Sequence, residues 1–113
     1  MKNCYNGFKE KVLTFERDGV IAANTPVKLS DNGKVTAAAA GDRFIGFAVA
    51  CEGDFVTVQV EGYRTAVYSG TAPTVNFSKL VADGTGKVKT DDSGSDVLVL
   101  DVNTTDKTVG FIL

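Results

Sequence analysis

The chain predicts an all-β protein, a single compact β-barrel-like or β-sandwich domain. Three observations carry that expectation. The sequence holds 16 Val and 12 Thr against 6 Leu, and β-branched side chains suit a pleated surface better than a helix. Its 12 glycines fall at turn-like places between apolar runs, where positive φ is needed. Several runs alternate apolar and polar residues with period two, the signature of a half-buried strand. At 113 residues, roughly two-thirds of the unfolded surface can be buried, which is enough for one core.

In chain order, residues 1–18 read as an N-terminal arm or a first strand, with residues 12–15 the strand-like part, and residues 19–113 as a single β domain. Strands are expected at 26–29 and 34–36, joined by Asp31-Asn32-Gly33-Lys34 as a hairpin tip. In Ile45-Gly-Phe-Ala-Val-Ala50 large and small residues alternate, which places Ile45, Phe47 and Val49 in the core and leaves a closely approached second face. Phe55-Val-Thr-Val-Gln-Val-Glu61 alternates most regularly, with Val56, Val58 and Val60 inward and Thr57, Gln59 and Glu61 outward.

Further strands are expected at 63–68, 79–82, 97–102 and 108–113. Asp83-Gly84-Thr85-Gly86 forms a second hairpin tip. The runs 97–102 and 108–113 are apolar on nearly both faces, as in a central or covered strand. One or two short helical turns are allowed, within 37–40, which Gly41 stops, and within 72–79, which contains Pro73. A faint echo at an offset of 53 residues aligns Lys34-Val35 with Lys87-Val88 and Val56, Val58 and Val60 with Val109, Phe111 and Leu113. Similar half-molecules would produce it, and so would any two Val-rich alternating strands.

Composition narrows the function. Histidine is absent and the net charge is −2, which removes the commonest general base and metal ligand and gives no global attraction for a nucleic-acid backbone. Cys4 and Cys51 lie far apart, outside CxxC spacing, and read as free thiols. Asp91-Asp92-Ser-Gly-Ser-Asp96 fails the calcium-loop pattern, and Gly84-Thr-Gly-Lys87 lacks phosphate-loop spacing. Neither an enzyme nor a cofactor or metal site is expected. No apolar h-region follows the charged N-terminus, and no window approaches 18 consecutive apolar residues. Phe44, Phe47, Phe55 and Phe111 sit at core-like spacing, which favours packing over base stacking. The candidate partner-contact residues are Tyr5, Phe8, Lys9 and Lys11 in a basic, aromatic N-terminal segment, together with Tyr63 and Arg64, which fit a contact patch or a sheet edge equally.

The order of Ala22-Ala-Asn-Thr-Pro-Val-Lys-Leu29, Asp31-Asn-Gly-Lys-Val35, Ala40-Gly-Asp-Arg-Phe-Ile-Gly-Phe-Ala48, Val56-Thr-Val-Gln-Val-Glu-Gly62 and Leu80-Val-Ala-Asp-Gly-Thr-Gly-Lys-Val88 resembles the capsid cement, or head decoration, proteins of tailed bacteriophages. That family carries G-x-P-V, G-D-x-F-I-G-x-A, V-x-V-x-G and D-x-T-G-K in this order. The resemblance covers residues 19–113. It implies a β-barrel-like fold, no catalysis, and homotrimers or small homo-oligomers that bind the major capsid protein on the outside of the head and brace it. It also implies synthesis in the bacterial cytoplasm, residence on the virion surface, and no nucleic-acid, membrane or small-molecule partner. The position of residues 1–18 suits a capsid-gripping arm. Other readings of the same composition are a tail-tube or baseplate β-domain and a carbohydrate-binding or adhesive β module.

Overall fold

The computed structural model describes residues 11–113, and these form ten strands. In chain order they are β1 (Lys11–Arg17), β2 (Pro26–Asp31), β3 (Lys34–Ala37), β4 (Gly46–Glu52), β5 (Phe55–Glu61), β6 (Tyr63–Val67), β7 (Asn76–Ala82), β8 (Val88–Thr90), β9 (Ser95–Asn103) and β10 (Thr108–Ile112). The first five close into a barrel in the order β1-β3-β2-β4-β5. The last five form a sheet in the order β6-β10-β9-β7-β8, which curls until Tyr68 and Val88 meet in a parallel bridge.

The two halves repeat one architecture. In each, the first strand runs antiparallel to the fifth and approaches the third in parallel. Backbone hydrogen bonds outside the ladders recur as well. Ala38 N–H donates to Pro26 C=O at 2.9 Å as Asp91 N–H does to Lys79 C=O at 3.1 Å, and Asp18 N–H donates to Val35 C=O as Ser69 N–H does to Val88 C=O. Arg17 N–H to Asp54 C=O likewise corresponds to Tyr68 N–H to Lys107 C=O. The echo in the sequence therefore coincides with a repeated strand plan.

Each half has its own apolar cluster. Ile21, Val27, Val35, Ala48, Val56 and Val58 fill the first barrel, and Tyr68, Leu80, Val88, Val99, Val109 and Phe111 fill the second unit. Phe47 breaks this division. It lies on β4 of the first unit, yet it is fully buried in the second cluster, 5.2 Å from the ring of Phe44 and 5.9 Å from that of Phe111. Its neighbours on β4 are small for a reason. A Cβ at Gly46 would overlap the backbone carbonyl of Gln59, and Ala48 is fully buried inside the first barrel. Main-chain bonds add to the junction, with Gly41 N–H donating to Ala82 C=O and Ala82 N–H to Asp42 C=O, both at 2.9 Å.

Several expectations need correction. Neither helical turn forms among the described residues, because Ala37 ends β3 and Asn76–Ala82 is strand. Val49 is 44% exposed and does not join the core, since a register shift between Ala48 and Ala50 resets the alternation of β4. Phe55 is 53% exposed: it opens β5 just after the Gly53-Asp54 turn, opposite Glu16 and Glu52. A tenth strand, β8, follows the second hairpin tip, and β7 starts three residues earlier than expected. Within residues 1–18, for which an arm and a first strand were both expected, Lys11–Arg17 forms a barrel strand. The Cys51 thiol is free and donates to Ile21 C=O at 3.1 Å, whereas Cys4 lies outside the described residues.

Phe47→Ala is expected to cost about 3–5 kcal/mol, the range for truncating a buried aromatic. Urea denaturation followed by far-ultraviolet circular dichroism measures this. If Phe47 also couples the units, the variant unfolds in two resolved transitions where the parent shows one.

Candidate functional site

The alternation of β6 sends Tyr63, Thr65 and Val67 to one face and Arg64 and Ala66 to the other. Ala66 packs on the second core. Arg64 turns into the junction, where its guanidinium lies 4.9 Å from the centre of the Phe47 ring. Its Nη2 donates to Asn24 Oδ1 at 2.6 Å and its Nη1 to Gln59 Oε1 at 3.2 Å. Gln59 is 2% exposed and donates through Nε2 to Tyr63 C=O at 2.9 Å. One arginine thus bridges a loop and a strand of the first unit to the first strand of the second.

Tyr63 takes the outer face. Its ring crosses β10 at Gly110, the one residue type that leaves room, since a Cβ there would meet the phenol oxygen. The hydroxyl lies 3.5 Å from Asp101 Oδ1 and accepts from Thr65 Oγ1 at 3.3 Å. Register continues this row into Ile112, Leu98 and Phe77, the last 62% exposed.

Between the units, along β6, runs a cleft of about 690 Å³. The first unit contributes Asn24, Thr25 and Gln59, β6 contributes Tyr63 through Val67, and the second hairpin tip contributes Thr85, Gly86 and Lys87. Among the described residues that line it, Arg64 and Lys87 are the charged groups, both cationic. Hydroxyls and amides make up most of the remaining polar lining. No three His, Cys, Asp or Glu side chains among the described residues come together to hold a metal ion.

The tip that bears Lys87 is built on Asp83. Its carboxylate accepts from Thr85 N–H at 2.7 Å, Thr85 Oγ1 at 2.8 Å, Lys87 N–H at 3.2 Å and Ser69 Oγ at 2.8 Å. Burial works to raise its pKa, but these hydrogen bonds outweigh burial and hold it below the ordinary value of 3.8.

Of the sequence candidates, Tyr5, Phe8 and Lys9 lie outside the described residues. Lys11 begins β1 and pairs with Glu61 at 3.5 Å, so it sits at the β5 end from which the chain turns into β6. Tyr63 and Arg64 both border the cleft, on opposite faces of β6. Tyr68, their flanking aromatic, is only 3% exposed and belongs to the core. Sequence reading missed Gln59, Asn24 and Lys87. Gln59 stands between Thr57 and Glu61 and reads as solvent-facing, since no local signal announces the second unit that covers it.

Gln59→Leu removes both the acceptor used by Arg64 and the amide that donates to the Tyr63 carbonyl, and is expected to destabilise by about 1–3 kcal/mol in urea melts. Because the folded pKa of Asp83 is depressed, its contribution is present above pH 3.8 and is lost as pH falls through the lower folded value. Asp83→Asn should therefore lower stability at neutral pH and flatten part of the loss below about pH 4, with Asp42 and Asp91, also lowered, retaining the rest. Thermal melts of both proteins across this range test it. Comparison with known proteins finds no matching family model and no matching curated protein.

Proposed function

We propose that this protein is a structural binding module that attaches to the outer surface of a tailed-phage head and braces it. The observation that carries the reading is where the motifs of the resemblance fall. Gly41-Asp-Arg-Phe-Ile-Gly-Phe-Ala48 supplies Phe44 and Phe47 to the shared core and Asp42 to the main-chain junction. Val58, Val60 and Gly62 frame Gln59 and the turn into β6, and Asp83-Gly-Thr-Gly-Lys87 makes one wall of the cleft. In place of the family's G-x-P-V stands Asn24-Thr-Pro-Val27, and Asn24 adopts φ 65°, the left-handed conformation that glycine takes freely. The motifs thus converge on one junction rather than scattering over separate turns.

A rigid module suits such a role. Bound at many copies on a shell, a modest contact per subunit becomes firm through multivalency, and whatever binds only the intact shell shifts its equilibrium away from disassembly. The partner in this reading is the major capsid protein, and the working form is a homotrimer or small homo-oligomer on the virion surface.

The test mixes the purified protein with expanded heads assembled from the major capsid protein encoded by the same genome. Co-sedimentation with heads at saturable stoichiometry, a raised temperature of head disruption, and a trimer or monomer–trimer balance in light scattering are the expected results. Failure to sediment with heads, or assembly into rings that fractionate with tails, overturns the reading.

A further inference from the structure

The tip between β2 and β3 does more than reverse the chain. Asp31 pairs with Lys34, so Asn32 and Gly33 are the two residues of the turn, and all four are exposed. Beside this tip β1 meets β3 in parallel, with Glu16 opposite Lys34 and Arg17 opposite Val35. Glu16 N–H donates to Gly33 C=O at 2.9 Å, and the Glu16 and Lys34 side chains pair at 4.0 Å. The seam that closes the first barrel is therefore fastened in part to the backbone of the turn itself.

Asn-Gly is also a reactive dipeptide. The backbone nitrogen of the following residue attacks the asparagine Cγ, and glycine, having no Cβ, neither shields that nitrogen nor restricts the rotation that brings it round. The structure separates Asn32 from the other candidates. Its side-chain amide makes no hydrogen bond among the described residues, while its backbone N–H donates to Asp31 Oδ1 at 2.7 Å. A Cβ placed on Gly33 would meet nothing within 4 Å, so the ring that must form has space. Asn24, Asn76 and Asn103 precede Thr25, Phe77 and Thr104, whose side chains crowd the attacking nitrogen. Two of these are held besides: Asn24 Oδ1 accepts from Arg64 at 2.6 Å, and Asn103 Oδ1 accepts from Thr105 and Asp106 N–H, both at 3.0 Å. Asp83-Gly84 is blocked twice over, since hydrogen bonds from Ser69, Thr85 and Lys87 hold the carboxylate and Gly84 packs on Ala40. Gly19 of Asp18-Gly19 has open space, but an ionised carboxylate is a poor electrophile beside a neutral amide.

We infer that Asn32 is a self-modification site that ages the seam closing the first barrel. Water or hydroxide takes the Gly33 N–H proton, the nitrogen bonds to Asn32 Cγ, and the Cγ–Nδ2 bond breaks with loss of ammonia, which leaves a five-membered succinimide. Water then opens the ring. Attack at Cγ gives aspartate, and attack at the main-chain carbonyl gives an isoaspartyl linkage, so the net change is amide plus water to carboxylate plus ammonia. Either product adds one negative charge to the net −2, beside Asp31. The isoaspartyl form also routes the chain through the side-chain methylene, which lengthens the turn between Asp31 and Lys34. The Gly33 carbonyl then loses its place opposite Glu16 N–H. The inference is independent of the capsid reading.

In the experiment the full chain is kept in warm, mildly alkaline buffer and sampled over time. Trypsin cleaves after Lys28 and Lys34 and releases residues 29–34, whose mass reports conversion of amide to carboxylate, while Asn6-Gly7 falls in a different peptide. The expected result is conversion of residues 29–34 before the peptides that carry Asn24, Asn76 or Asn103, faster as pH rises, and absent in Asn32→Gln. The products should include an isoaspartyl form that accepts a methyl group from S-adenosylmethionine through an isoaspartyl methyltransferase. In that form, separated by anion exchange, the Glu16 amide should exchange with solvent about tenfold faster, the equivalent of one lost hydrogen bond. Freshly prepared Asn32→Asp, which carries the charge without the longer backbone, should exchange as the parent does. Earlier conversion at another described asparagine, conversion in urea but not in buffer, aspartate as the sole product, or unchanged Glu16 exchange in the isoaspartyl form overturns the inference.

Discussion

One side chain, Phe47, joins a small barrel and a curled sheet into one molecule. A five-stranded unit of roughly 50 residues buries too little surface to be robust alone. Phe47 leaves the first unit and completes the core of the second, fully buried between Phe44 and Phe111. That placement dictates its surroundings. The strand carrying it must lie tight against β5, hence Gly46 under the Gln59 carbonyl, and its inward face must be small, hence Ala48. Burial of Gln59 follows, because the face of β5 that would meet water meets the second unit instead. Arg64 then serves as the polar counterpart of Phe47. It caps the ring and ties Asn24 and Gln59 to β6, so that apolar packing and hydrogen bonding hold the same joint.

Fold class was legible because it rests on local signals. Val56, Val58 and Val60 read as one inward face, and all three pack in or against the first cluster. Asn32-Gly33 reads as a tip, and Gly33 takes φ 69° between β2 and β3. What period-two reading could not see were departures from a regular pleat and contacts between units. A bulge next to Val49 turns an inward residue out, and no composition rule marks that bulge. Phe55 reads as core because it is aromatic and strand-bound, yet a strand's first residue sits at the rim where cover ends. Of the site, Tyr63 and Arg64 were visible as an aromatic and cationic pair after the best strand. Gln59 and Lys87 were not, because their importance comes from elements far away in sequence.

The repetition of the strand plan is informative for where it fails. Both units place a parallel approach between their first and third strands, the least regular junction of the five, since parallel partners must be reached by a crossover rather than a hairpin. In the first unit this seam is zipped and carries a charge pair, Lys34 with Glu16 at 4.0 Å. In the second it is reduced, among the described residues, to the bridge between Tyr68 and Val88. An exposed edge is a hazard for indiscriminate pairing, and natural sheets blunt such edges with short strands and cations. Here β6 is five residues long, and Arg64 and Lys87 stand beside it.

The reduced seam and the junction are physically linked. A sheet that does not close into a barrel forgoes ladder hydrogen bonds and needs another source of cohesion. The second unit has one: Phe47 and Phe44 enter its core from outside, and the loop holding Asp42 stitches to Ala82. Among the described residues, the buried cluster of the first barrel is drawn from its own strands and loops, and it is the unit that closes fully. Closure and borrowed packing thus do the same work in the two halves. The asymmetry leaves the first unit held by its own ladders and the second held in large part by side chains of the first.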